Sequence, residues 1–286
     1  MITENDIAVL KALSIYYVLT RAQIQGLCNG HHSQGRSTRK RLAKLVDARY
    51  VNKHRTLIPY GTSDNGCPIY YLSELGAELL AAYFDDPKYL HAVSRRPRAD
   101  LLFHWVAISE THTRIDAAVD RESDVAIAIW ANEWEVVNKG AAESAHYVLH
   151  TVLREAPNPL SCSPDAGFLL DCRGYKRVIY LEQDRGTSSV NQIAAAKTPG
   201  YMELHRRAHH RKHFPETSYD DFTVLMITTN PGRRNQLAKA IQGKEGDQLW
   251  LFVAQDELTP ETLLYEPIYR NVKGEAVALL RRAVDG

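Results

Sequence analysis

No run in the chain approaches the roughly 20 consecutive apolar residues needed to cross a bilayer, and Met1–Leu10 lacks the basic-then-apolar order of a secretion leader. A cytoplasmic location and no membrane partner are therefore expected. Cysteine is scarce: Cys28, Cys67, Cys162 and Cys172 form neither a paired Cys-x-x-Cys metal site nor a dense disulfide framework. There is no Gly-rich phosphate loop, which removes support for an ATP-driven motor. Charge of one sign is missing too, since 35 Lys and Arg face 34 Asp and Glu, so a polyanion partner must be met by local clustering. What is present is an ordinary apolar fraction of 44% over 286 residues, enough for two domains or one large one.

Apolar residues recur at helical spacing from Thr3 to Leu19, with Ile7, Leu10, Leu13, Ile15, Val18 and Leu19 predicted to face a core. Thr20 offers an N-cap to a short second helix buried through Ala22, Ile24 and Leu27, ending before Asn29-Gly30. A third helix is predicted from about Ser37 to Ala48, amphipathic around Leu42 and Leu45. Two strands, Tyr50–Ile58 and Pro68–Leu72, flank a Gly61–Gly66 turn, and Ser73 caps a helix through Tyr83. Three helices followed by a hairpin is the order of a winged helix-turn-helix. Residues 1–84 are therefore predicted to be that domain, 85–98 a polar linker containing Pro87 and Pro97, and 99–286 a second domain mixing helices with a central sheet. The class is α+β or α/β.

Between Arg36 and Arg55 stand eight Lys or Arg against one acid, Asp47, a local charge of +7 in a nearly neutral protein. In this domain type the third helix enters the major groove. That makes Ser37, Thr38, Arg39 and Arg41 candidate base readers, with Lys40, Lys44, Lys53 and Arg55 against phosphates of double-stranded DNA and Arg36 a further DNA-binding candidate. In the second half, Pro164-Asp165 opens an apolar run and Arg173-Gly174-Tyr175-Lys176 has turn composition. On the following strand Tyr180, Glu182 and Asp184 share a face by alternation. Asp165 is thus placed to meet Glu182 across neighbouring strands. Clustered carboxylates suit Mg²⁺ or Mn²⁺, although an ion-pair cluster at a strand end has the same spacing.

Pro164-Asp165 followed by Leu181-Glu182-Gln183-Asp184-Arg185-Gly186-Thr187 resembles the replication-relaxation family of plasmid and mobile-element proteins. So do the blocks Arg39–Val46, Tyr71–Leu80, Phe222–Asn230, Leu249–Phe252 and Glu266–Tyr269, in order. The resemblance implies a winged helix fused to a degenerate restriction-endonuclease-like domain of the PD-(D/E)xK kind. The implied role is plasmid or mobile-element replication, DNA relaxation or mobilisation, with replication or mobilisation proteins and a second copy of the chain as further partners. It also implies a catalytic set in which Asp165 and Glu182 hold the metal and Glu110 is the helical acid. Asp184 departs from that pattern by standing where the lysine belongs. Lys197 is the nearest substitute, but Thr198-Pro199-Gly200 is expected to disturb its helix, so an exposed helical lysine is the simpler expectation. Two functions follow: a metal-dependent DNA nickase, or a non-enzymatic winged-helix regulator whose nuclease-like domain serves dimerisation or partner binding. His205, His209, His210 and His213, interleaved with Arg206, Arg207, Arg211 and Lys212, are expected to form a basic surface. Tyr16, Tyr17 and Tyr201 are expected to be structural.

Overall fold

The computed structural model describes residues 2–29, 35–54, 68–93, 97–98, 100–133, 135–136 and 147–282. The chain divides into two compact units, Met1–Thr113 and Arg114–Gly286.

In the first unit, α1 (Glu4–Tyr16) begins at a capping box in which Thr3 and Asp6 satisfy each other's backbone N–H groups. The helix stops earlier than its apolar periodicity predicts. Tyr17 adopts a positive φ of 68° and its N–H closes back on Leu13 O. Val18–Thr20 then forms β1, the better conformation for two β-branched residues. Ile15 and Leu27, expected in the core, are 42% and 40% exposed, and Ala22 is exposed as well. Thr20 does cap α2 (Arg21–Asn29), accepting the Gln23 N–H while Gln23 Oε1 accepts its own N–H.

Next come α3 (Arg36–Asp47), β2 (Val51–His54), β3 (Ile69–Leu72) and α4 (Glu74–Phe84), the last capped by Ser73. The three strands make an antiparallel sheet in the order β1-β3-β2. The expected turn at 61–66 and Arg55 lie outside the described residues. Leu10, Leu13, Leu19, Ile24, Leu42, Leu45, Leu72 and Leu80 fill the core. Part of the segment expected to be linker belongs to it, because Pro87–Val93 forms a short 3₁₀ turn that buries Tyr89 in the same cluster. The division between the units falls within α5 (Leu102–Val119).

The second unit is built on a mixed sheet of seven strands: β4 (Val125–Asn132), β7 (Ala166–Cys172), β8 (Tyr175–Gln183), β9 (Thr223–Thr228), β10 (Trp250–Ala254), β11 (Tyr269–Arg270) and β12 (Ala276–Val277). Their order is β12-β11-β10-β9-β8-β7-β4, antiparallel except that β8, β9 and β10 run parallel. Parallel neighbours require crossovers. These are α6 (Val190–Arg206) with the short α7 (His210–His213) between β8 and β9, and α8 (Pro231–Ile241) between β9 and β10. A separate hairpin of β5 (Thr151–Arg154) and β6 (Leu160–Cys162) packs on α6. Tyr180, Tyr201, Phe214, Phe222 and Trp250 dominate the core between sheet and helices.

Helix α6 is not broken at Pro199, contrary to expectation. Pro199 is solvent-facing, and the exposed Ala195, whose carbonyl loses its N–H partner to the proline, is open to water. Gly200 follows because α6 lies close to β6: a Cβ there would stand 2.9 Å from Ser161 O.

Of the basic surface expected of residues 205–213, Arg206, Arg207, Arg211 and Lys212 are exposed, but not every histidine joins them. His210 is fully buried. His213 is held between the Tyr180 hydroxyl at 2.7 Å and Thr151 Oγ1 at 2.8 Å, and burial pushes it down to about 4, so it is neutral near pH 7. The arginines are answered locally, Arg206 by Glu203 and Glu245, Arg207 by Glu203, and Arg211 by Asp220.

Candidate acid–lysine site and basic helix

In α3, Thr38, Leu42 and Leu45 stand at i, i+4 and i+7 and are all buried. Thr38 is 0% exposed, so it is withdrawn from the base readers: its spacing assigns it to the core stripe. Arg36, Ser37, Arg39, Lys40 and Lys44 remain exposed on the helix, and Lys53 is exposed on β2. Two cations also have inward partners, since the buried Asp6 carboxylate meets Lys44 Nζ at 2.6 Å and Arg41 Nη1 at 3.7 Å. The first turn of α3 carries no acid, yet Arg36 and Arg39 sit there. Cations at the positive end of a helix dipole are mildly destabilising, so stability does not account for them.

Burial works to raise the Asp6 carboxyl, but Lys44 and the Thr3 N–H and hydroxyl outweigh it and hold Asp6 below its ordinary range. A lowered folded-state value contributes stability above the unfolded value and loses it as pH falls through the folded one. Asp6→Asn should cost the first unit about 1–3 kcal/mol at neutral pH, with the difference from the native chain shrinking as pH drops below about 4. Thermal unfolding across that range reads it, and a pH-independent difference rules out the ion pair as the cause.

In the second unit the β7–β8 register sets Ala166 opposite Leu181. That places Asp165 opposite Glu182 with both side chains on one face, as the alternation predicts. The Asp165 backbone N–H reaches Leu181 O at 3.1 Å, and Asp165 Oδ2 accepts the Gln183 N–H at 2.7 Å. From α6, Lys197 Nζ lies 2.7 Å from Glu182 Oε2, 2.9 Å from Oε1 and 4.0 Å from Asp165 Oδ1, and also donates to Ser163 O at 3.2 Å. Lys197 is therefore not a free-standing surface lysine. One turn on, the buried Tyr201 hydroxyl donates to Glu182 Oε1 at 2.6 Å. This partner was missed by sequence reasoning, although the 197/201 spacing puts both residues on one helix face.

Burial pushes Glu182 up to about 7, with the Asp165 charge adding to it and Lys197 pulling the other way. For Lys197, burial disfavours the ammonium but the two carboxylates outweigh it and hold its value above the ordinary range. The lysine is therefore charged at neutrality.

Asp184 has a partner of its own. Asp184 Oδ2 accepts from Arg233 Nε at 2.7 Å and Oδ1 from Arg233 Nη2 at 3.1 Å, at the start of α8. The pair is bidentate and largely buried, the strong form of such a contact. Asp184→Ala should cost on the order of 3 kcal/mol by leaving Arg233 uncompensated. Asp184→Lys should be worse, because it sets two cations together; chemical denaturation of both variants tests the order, and a more stable lysine variant would contradict this placement. Glu110 belongs to the first unit, where its Oε2 accepts from Gln23 Nε2 at 2.9 Å.

The described residues thus define a mixed α/β protein carrying a cation-rich helix in one unit and a lysine-bridged acid pair in the other. A family model described as Replication-relaxation matches residues 10–217, a span that contains both features, and the chain belongs to that family. Membership points to a role in replication or relaxation, with DNA or replication proteins as partners. No curated protein and no solved structure matches the chain. No described helix is long and apolar enough to cross a membrane.

Proposed function

We propose that this protein binds double-stranded DNA through α3 of a winged-helix first unit and nicks it at Asp165, Glu182 and Lys197 of a PD-(D/E)xK-like second unit, in the service of plasmid or mobile-element replication, relaxation or mobilisation. The observation that carries the reading is Lys197. The family pattern has its lysine on the strand, where this chain has Asp184, and α6 supplies an ammonium to the same carboxylate from another direction.

Among the described residues no group of three or more His, Cys, Asp or Glu side chains converges as a metal cage. Mg²⁺ is nevertheless commonly held by one or two carboxylates with waters and substrate phosphates completing the shell. Lys197 Nζ lies within 4.0 Å of both acids, so their oxygens already converge on one cation position. The donor set fits Mg²⁺ or Mn²⁺, with Asp165 and Glu182 as its ligands. When bound, such an ion offsets the charge that develops on a phosphate under attack. Lys197, being charged, acts as a hydrogen-bond donor that orients the attacking water or a phosphoryl oxygen, and not as a base. Tyr201 fixes the carboxylate plane of Glu182.

The test is to incubate supercoiled plasmid with Mg²⁺ or Mn²⁺ and either the native protein or an Asp165→Ala, Glu182→Ala double variant. The native protein should convert plasmid to nicked circles and the variant should not. If both bind DNA and neither nicks, the nuclease reading falls and a non-enzymatic regulator replaces it. In that regulator Lys197 is a permanent internal counter-ion.

A further inference from the structure

We infer that His150 is the proton donor to the leaving deoxyribose oxygen at this site, a step that rests on the nicking reaction proposed above. His150 immediately precedes β5, and its Nδ1 lies 2.6 Å from Ser163 Oγ. Ser163 is two residues before Asp165, and its carbonyl accepts from Lys197 at 3.2 Å. His150 therefore meets the hydroxyl, and Lys197 the backbone carbonyl, of the same residue, which tethers the imidazole two residues before Asp165. No described residue engages Nε2, the nitrogen left to point away from the serine. The ring is half-buried, so it is fixed on one side and reachable on the other.

Among the described residues, the two other proton-bearing side chains at the acid pair are already committed. Lys197 spends its protons on Glu182 and Ser163 O, and the Tyr201 hydroxyl is buried against Glu182. A deoxyribose alkoxide is a poor leaving group unless protonated as it departs. In the imidazolium form Nδ1–H donates to Ser163 Oγ and Nε2–H faces the leaving oxygen. Water forms the new bond to phosphorus and loses its proton to solvent. The bond from phosphorus to the deoxyribose oxygen breaks, its electron pair stays on that oxygen, and the His150 proton caps it. Solvent then returns a proton to the ring. No redox partner or co-reactant beyond water is required.

The experiment uses the full chain and duplexes containing the mapped nick site, with either oxygen or sulfur bridging at the leaving position. A thiolate leaves readily without protonation, so it bypasses a missing acid. His150→Asn, whose amide can still hold Ser163, should cut the oxygen duplex about 100-fold or more slowly than the native protein and the sulfur duplex within about threefold of it. Its Mn²⁺ affinity and thermal unfolding midpoint should match the native protein. Should the asparagine variant fail to fold, His150→Gln takes its place with the same expectation. Equal losses on both duplexes make His150 merely structural and overturn the proposal, as does no loss on either. A native protein that does not nick removes the nuclease reading and this step together, whereas a native protein that nicks beside an unimpaired variant removes only this step.

Discussion

Lys197→Met is expected to lower nicking by roughly 10²–10⁴-fold while leaving DNA affinity unchanged, and to change how stability depends on pH. The activity loss is the usual worth of a positioned proton-bearing group. The pH effect follows from Glu182. Its folded-state value, about 7, already lies above the ordinary carboxylate range, so the fold favours its protonated form and loses that contribution as pH rises toward 7. Lys197 is the main group that keeps the value from climbing further, with the Tyr201 hydroxyl adding to it. Without Lys197, only Tyr201 opposes burial and Asp165, and the carboxyl should hold its proton to higher pH. Below about pH 7 native and variant proteins both carry a protonated Glu182, and their stabilities should run parallel. Above it, the native protein ionises against a resident ammonium and the variant must ionise against none, so the gap should widen toward pH 9, approaching the roughly 3–5 kcal/mol typical of an uncompensated buried charge. Thermal unfolding from about pH 6 to about pH 9 measures this. A gap that stays constant would mean that Lys197 is not the counter-ion of Glu182 in solution.

The second large effect belongs to α3. A chain carrying Arg36→Ala, Arg39→Ala and Lys40→Ala should bind duplex DNA about 10²–10³-fold more weakly near physiological salt, since a base-reading arginine contributes about 1–3 kcal/mol and each phosphate contact adds to counter-ion release. The slope of log K against log salt should flatten by about 0.9 for each phosphate contact removed. Fluorescence anisotropy across a salt series reads both quantities. The fold should not suffer, because these three cations are exposed and crowd the positive end of the helix, whereas the ion pairs to the buried Asp6 come from Arg41 and Lys44. Unchanged affinity and slope would move the DNA contact away from α3.

Much of this arrangement was legible beforehand where one local rule dominated. Thr20 and Ser73 cap their helices because a hydroxyl beside an apolar run has few better uses, and Asp165 faces Glu182 because alternation and a tight turn fix strand partners. The misreadings occur where two rules compete. Val18 and Leu19 continue a helical pattern of apolarity but are claimed with Thr20 by β3, whose ladder suits the β-branched Val18 and Thr20. Thr38 looks like a polar reader by type and like a core residue by position, and position prevails because threonine can bury its methyl group with Leu42 and Leu45. Proline argues for a break at Pro199, but α6 is anchored on both sides of it by Ala194, Thr198, Tyr201 and Leu204 in the core. Lys197 therefore keeps its helical direction and reaches the acids. Basic neighbours predict a surface position for His210 and His213, yet the neighbouring arginines pair with acids, His210 is buried and His213 is held by Tyr180 and Thr151.

The turn between β7 and β8 has a bearing on the chemistry at the opposite end of those strands. Cys172 pairs with Tyr175, and the two residues between them, Arg173 and Gly174, both take positive φ, the pattern of the tight hairpin turn whose twist matches its strands. The Asp171 carboxylate accepts the Gly174 N–H and Asp124 holds Arg173, so the turn is braced at each corner. It works as a length gauge. One residue gained or lost at this tip would slide the ladder by one place, and since successive side chains alternate sides, Asp165 and Glu182 would end up back to back across the sheet, with every residue of the site intact and none of them facing another.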